Sequence, residues 1–326
     1  MTRRILVVGV GPGAEAIAAA LGEGGAIDVA VAPAPGSAAA PVAAAMSAAV
    51  VDLVIEAALD LPLPAKVDAL AALLASLPGS VPIAVATRRH ELHALLPATR
   101  HGSRVVGFNL LPGSAVAELA MPVAFDDTVV DAVLDLLAEA GIIALPCMDA
   151  PGRIVDRLVV AVALEARALV QGGAATQVTA DAALRAAGLS LAAFADTDLD
   201  AIAAVIHAGL GDAPRFASGS STHPAAEASP GGHLPIDAAA VADRLSWAAI
   251  AEAYRLVGDA IAGADEIERA MTLGAGWATG PFTLAGRLGL RVVVTGLAAL
   301  SRAPDVDPVT ADRFAIPALL WQMATV

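Results

Sequence analysis

The first half of the chain alternates short apolar, β-branched runs with longer stretches of helical composition. Ile5-Leu6-Val7-Val8 reads as a strand entering a glycine turn, and Glu15 to Leu21 as the helix that follows, ending at Gly22. Val29-Ala30-Val31, Leu53-Val54-Ile55, Val81 to Val85 and Val105-Val106-Gly107 read as further strands. Ala65 to Leu77 is a crossover helix between the third and fourth of these, and Asp127 to Ala140 is a helix before Ile142-Ile143-Ala144. Strands alternating with helices imply a parallel, right-handed, doubly wound α/β sheet.

From Pro151 the strand pattern fades, and helices are expected at Ile154 to Val170, Thr179 to Ala187, Leu191 to His207, Ala238 to Ala262 and Asp265 to Leu273. Ala213 to Pro235, rich in Pro, Gly, Ser and His, reads as a flexible linker between them. Across that linker a repeat is visible. Asp156-Arg157-Leu158 with Glu165-Ala166 and Leu169-Val170 returns, in the same register, as Asp243-Arg244-Leu245 with Glu252-Ala253 and Leu256-Val257. An all-α, internally duplicated second half follows.

Composition narrows the function classes. A length of 326 residues fits about two domains, and an apolar share of 57% with only 3% aromatic residues favours helices packed through small side chains. The formal net charge of -14, with no cluster of Lys or Arg, excludes nucleic acid as a partner. The longest uncharged stretch, Val29 to Val51, is interrupted by Pro33, Pro35, Gly36 and Pro41, so no membrane span is expected. Arg3 and Arg4 precede an apolar run broken by Gly9, Gly11, Pro12 and Gly13, which reads as a cytoplasmic strand and turn rather than a signal peptide. The single cysteine, Cys147, reads as apolar filler, and His207, His223 and His233 lack metal-ligand spacing, so no metal is expected.

Gly9-Val10-Gly11-Pro12-Gly13-Ala14 fits G-x-G-x-x-G/A between a strand and a helix. The first glycine makes the tight turn, the second lets a pyrophosphate approach, and the last small residue packs helix on strand. This gives a Rossmann-type NAD-binding domain over 1–147, a first helical unit over 148–212, the linker over 213–235 and a second helical unit over 236–326. The acid that would hold the ribose hydroxyls, about 20 residues on, is replaced by Ala32, followed by Pro33.

Longer motifs carry a family resemblance. Gly107-Phe108-Asn109-Leu110-Leu111-Pro112, the segment Pro151-Gly152-Arg153-Ile154-Val155-Asp156-Arg157-Leu158, and Asp265 through Ala270-Met271 and Leu273-Gly274-Ala275-Gly276 to Gly280-Pro281-Phe282 resemble the 3-hydroxyacyl-CoA dehydrogenases. With Asp52-Leu53-Val54-Ile55-Glu56-Ala57 they run in that family's order over nearly the whole chain, and the duplicated helical unit is similar to its longer members. The resemblance implies NAD as cofactor, an acyl-CoA or related small molecule as ligand, and oxidation of 3-hydroxyacyl-CoA to 3-oxoacyl-CoA. In that scheme a histidine oriented by a glutamate takes the hydroxyl proton, and a serine and an asparagine assist.

Carried over residue by residue, the histidine position is Asn109, the serine position Arg88 and the asparagine position Asp156. The orienting glutamate, expected twelve residues after Asn109, falls on Met121. Glu56 matches a family glutamate on the nicotinamide side of the cofactor site, and the family's helical insertion after the second strand is missing. Arg88, with Arg89, His90 and His93, can be read as a carboxylate or phosphate grip or as a solvated basic helix start. Asp156-Arg157 can be read as catalytic or, as the matching Asp243-Arg244 favours, as a structural helix start. The chain is therefore expected to be a 3-hydroxyacyl-CoA dehydrogenase-like protein. The alternative, favoured by the lost base and ribose acid, is a non-catalytic relative that binds a ligand or pairs as a homodimer through its helical units.

Overall fold

The computed structural model describes residues 3–9, 11–23, 28–32, 50–59, 61–88, 90–96, 102–191, 193–194, 198–217, 236–303 and 306–325. Two compact units divide the chain, Met1–Ala150 and Pro151–Val326.

In the first unit the apolar runs become strands β1 (Arg4–Val8), β2 (Asp28–Ala32), β3 (Leu53–Glu56), β4 (Ile83–Ala86), β5 (Val105–Leu110), β6 (Val116–Met121) and β7 (Ile143–Met148). They form one sheet in the order β2-β1-β3-β4-β5-β6-β7. β1 to β5 are parallel, as expected, and every residue of β3 and β4 is buried. The wholly parallel expectation needs one correction. β6 runs antiparallel to β5, because only 111–115 separate them, too short for a crossover helix. Gly113 at φ +70° turns this hairpin, and Leu111 N–H closes it on Val116 O at 2.9 Å.

Among the described residues, the α-helices of this unit are α1 (Pro12–Gly22), α2 (Leu63–Ser76), the single turn α3 (Leu92–Leu95) and α4 (Asp127–Glu139). α4 shows how sequence sets them. Asp126 caps it by accepting from Thr128 N at 3.0 Å, and Val130, Val133, Leu136 and Leu137 recur on one face and are buried. That face completes a core with Ile5, Val7, Ile55, Val106, Phe108 and Leu119.

The second unit holds α5 (Val155–Gln171), α6 (Gln177–Ala187), α7 (Leu199–Gly209), α8 (Ala238–Gly258), α9 (Ala264–Arg269), α10 (Pro281–Leu288), α11 (Leu290–Ser301), α12 (Pro308–Arg313) and α13 (Ala318–Thr325). The helix expected from Leu191 begins only at Leu199, and the one expected over Asp265 to Leu273 passes into a π-turn at Ala270–Gly274. The linker expected from Ala213 opens with an ordered turn, Pro214–Phe216, whose Phe216 is buried. The rest of it, 218–235, lies outside the described residues. α5 and α8 carry the two copies of the repeat and pack on each other. Among the described residues no single helix is long and apolar enough to cross a membrane.

Candidate functional site

β2 and β3 flank β1 on opposite sides, so the chain reverses its direction of winding between β1 and β3. Such a switch point leaves a crevice at the carboxyl ends of the strands, where open α/β sheets bind ligands. The glycine turn sits there. A Cβ on Gly9 would lie 3.0 Å from the backbone carbon of Ala57, and one on Gly13 would lie 2.6 Å from Leu59 Cδ1. Gly9 lets the start of α1 close on the end of β3, and Ala14 is buried beside it. Gly11 differs. It starts α1 at φ +90°, and a Cβ there would meet nothing within 4 Å. This open, left-handed position at a helix N-terminus fits a pyrophosphate. Val10 lies outside the described residues. Ala32 pairs with Val8 at the same strand edge and supplies no carboxylate for a ribose.

Glu56 ends β3 at this edge, but its oxygens are already bonded. Oε2 accepts from Lys66 Nζ at 2.6 Å and Oε1 from Ala58 N at 2.9 Å, with both side chains buried. Lys66 also donates to Ala58 O and Ala86 O, each at 2.7 Å. The ammonium thus uses three donors and ties the end of β3 to the end of β4. Burial lifts the Glu56 carboxyl above its ordinary range, against the opposing charge of Lys66. Sequence reasoning missed Lys66, although a lone cation in the apolar run of α2 was its visible signal.

Asn109 lies near the end of β5, directly opposite Glu118 of β6. Residues opposed in an antiparallel pair share a face. Asn109 Nδ2 donates to Glu118 Oε2 at 2.8 Å, and both residues are buried. The acidic partner of this position is therefore Glu118, nine residues on. Met121, where the twelve-residue spacing put it, sits at the far end of β6, opposite Met148 of β7. The strand register, not a fixed spacing, decides which carboxylate faces Asn109. An amide can donate and accept hydrogen bonds but takes no proton near neutral pH.

Arg88 is half-buried in the turn after β4, where Thr87 N–H donates to Phe108 O at 3.0 Å and Thr87 Oγ1 to His90 O. His90 Nε2 lies 3.1 Å from Leu61 O, and Arg89 lies outside the described residues. Asp156 belongs to the second unit, in the first turn of α5, after Gly152 at φ +69° and Arg153 at φ +44°. Its neighbour Arg157 is bonded to Glu252, a structural use that the repeat anticipates.

Comparison with known proteins adds to this geometry. Residues 241–325 match the family model of the 3-hydroxyacyl-CoA dehydrogenase C-terminal domain. No curated protein matches the chain in sequence. Among solved structures, 3-hydroxybutyryl-CoA dehydrogenase from Escherichia coli K12 is similar, with a TM-score of 0.79 at 17% identity, over 100% of this chain and 98% of that one. The dehydrogenase part of multifunctional enzyme 1 from C. elegans gives a TM-score of 0.53 at 11% identity, over 98% and 89%.

Proposed function

We propose that the chain is a 3-hydroxyacyl-CoA dehydrogenase-like protein, on the match of residues 241–325 to that family's C-terminal domain and on the fold it shares with a solved member, and that it binds NAD(H) at the β1/β3 crevice and handles a CoA-linked 3-hydroxy or 3-oxo compound. The observation that carries this reading is the glycine turn. Gly9 has no room for a side chain against the Ala57 backbone, while Gly11 is open. Gly11, Pro12, Gly13 and Ala14 would hold the pyrophosphate on the N-terminus of α1. When bound, the nicotinamide supplies a hydride donor or acceptor.

The chain's own residues do the rest. Lys66 and Glu56 fasten the ends of β3 and β4, so the edge against which a ligand lies is rigid. Asn109, fixed by Glu118, serves as a hydrogen-bonding anchor for a substrate oxygen. It orients that oxygen but cannot take its proton, so the proton exchanges with water and turnover is slow. Arg88 is assigned to the grip on an anionic part of the substrate, and Asp156 to the start of α5. Homodimer formation through the helical units belongs to the same proposal; a single-chain mass by light scattering would remove that part.

The test is a calorimetric titration with NAD+ and NADH, followed by acetoacetyl-CoA while the reduced-nicotinamide absorbance is monitored. Saturable NADH binding and slow NADH consumption are expected. Absence of any dinucleotide binding would overturn the proposal.

A further inference from the structure

A cluster unconnected to the glycine turn lies where the segment after β4 meets the end of β7. Glu91 and His93 come from the start of α3, and Asp149 follows Met148, the last residue of β7. His93 Nδ1 stands 3.0 Å from Glu91 Oε2 and 3.7 Å from Asp149 Oδ2, and one ligating atom from each of the three residues lies within 4.8 Å of the others. His93 N–H donates to Asp149 Oδ2 at 3.1 Å, which fixes the carboxylate against the first turn of α3.

The Asp149 side chain is only 5% exposed, yet its Oδ1 has no hydrogen-bond partner. A buried carboxylate oxygen without a partner is unfavourable, and a cation held by the carboxylate would satisfy it. His93, by contrast, is 72% exposed, so an ion can reach the cluster from solvent.

The geometry points to a divalent transition-metal site held by Glu91, His93 and Asp149. Metal bonds of about 2.0–2.2 Å in tetrahedral array place ligand atoms roughly 3.3–3.5 Å apart. The separations of 3.0 and 3.7 Å bracket that spacing, and all three ligand atoms lie within 4.8 Å of one another, so they can gather on an ion by side-chain adjustment, which the exposed His93 allows. One imidazole nitrogen with two carboxylate oxygens suits Zn2+; Mg2+ prefers an all-oxygen octahedral shell. The fourth position stays open to water. No sequence spacing could show this site, because Asp149 is 56 residues from His93.

Zinc is the probe. The full chain, stripped with chelator, is titrated with ZnCl2 by calorimetry, and retained metal is measured after dialysis. One Zn2+ per chain is expected, undisturbed by millimolar Mg2+. His93→Ala and Asp149→Asn should each weaken binding more than about tenfold, and His207→Ala should leave it unchanged. Should Asp149→Asn fail to fold, the exposed His93→Ala still decides the matter. No saturable uptake would reduce the cluster to an ordinary ion pair, and unchanged affinity in His93→Ala would overturn the assignment.

Discussion

Arg157 of α5 donates through Nε to Oε1 of Glu252 in α8 at 2.8 Å, and Arg244 of α8 answers it by donating to Glu165 of α5 at 2.8 Å. These residues are equivalent by the sequence repeat, so each copy supplies the arginine for the other copy's glutamate. Glu252 also meets Arg215 and Arg255, while Glu165 also meets Arg313. Removing a buried carboxylate leaves its arginines uncompensated, which costs about 3–5 kcal/mol. Glu252→Gln, facing three arginines, should lower unfolding free energy by about that amount, and Glu165→Gln, facing two, by somewhat less. Urea denaturation of the second-unit helices measures both, and equal stability to the parent chain would remove the network from the account of the fold.

Acid should act on the same network. Burial alone would raise the Glu252 carboxyl, but Arg157, Arg255 and Arg215 outweigh it and hold the group at about 2, against an ordinary value of 4.5. A carboxyl depressed in the folded state contributes stability that is complete above its unfolded value and is lost as pH falls through the folded one. Roughly 3 kcal/mol should therefore disappear between about pH 4.5 and 2. Denaturation midpoints across that interval test this, with Glu252→Gln losing correspondingly less than the parent over the same range.

Much of this was legible in the sequence, and what was not has physical causes. β-branched runs marked β1 to β5, and the repeat marked the pair α5 and α8, because burial demands those patterns locally. β6 went unseen because Glu118 interrupts an otherwise apolar run, and the same residue is the partner of Asn109. A charge whose reason lies on a neighbouring strand looks misplaced until the pairing is known. Lys66 and Asp149 are of the same kind, each satisfied or required by groups distant in the chain.

The cofactor reading depends on Gly11 and Ala32. At φ +90° a side chain on Gly11 is strained by about 1–3 kcal/mol, and it would stand in the open space proposed for the pyrophosphate. Gly11→Ala should therefore fold with slightly reduced stability and lose NADH affinity more than about tenfold. Ala32→Asp, at the end of β2, should do the reverse by providing the missing ribose acceptor, a charge-assisted bond worth about 1.5–3 kcal/mol. Titration calorimetry of both variants reads these effects. An unchanged affinity in Gly11→Ala would move the dinucleotide away from the glycine turn.

Position 109 stands directly opposite Glu118 in the β5–β6 ladder. Asn109 and Glu118 already form a buried hydrogen-bonded pair at 2.8 Å, and the backbone register that sets it does not depend on the amide. Asn109→His would put an imidazole on the same strand position, where Glu118 can accept from one ring nitrogen and leave the other to exchange a proton with a substrate oxygen. General acid–base catalysis of this kind contributes about 10²- to 10⁴-fold. NADH consumption with acetoacetyl-CoA should rise by a factor in that range, with a new pH dependence near neutrality, and Asn109→His combined with Glu118→Gln should lose most of the increase. A variant that folds, binds NADH and shows no rise would mean that position 109 does not face the reacting carbon, and the substrate would then have to be sought elsewhere on the sheet edge.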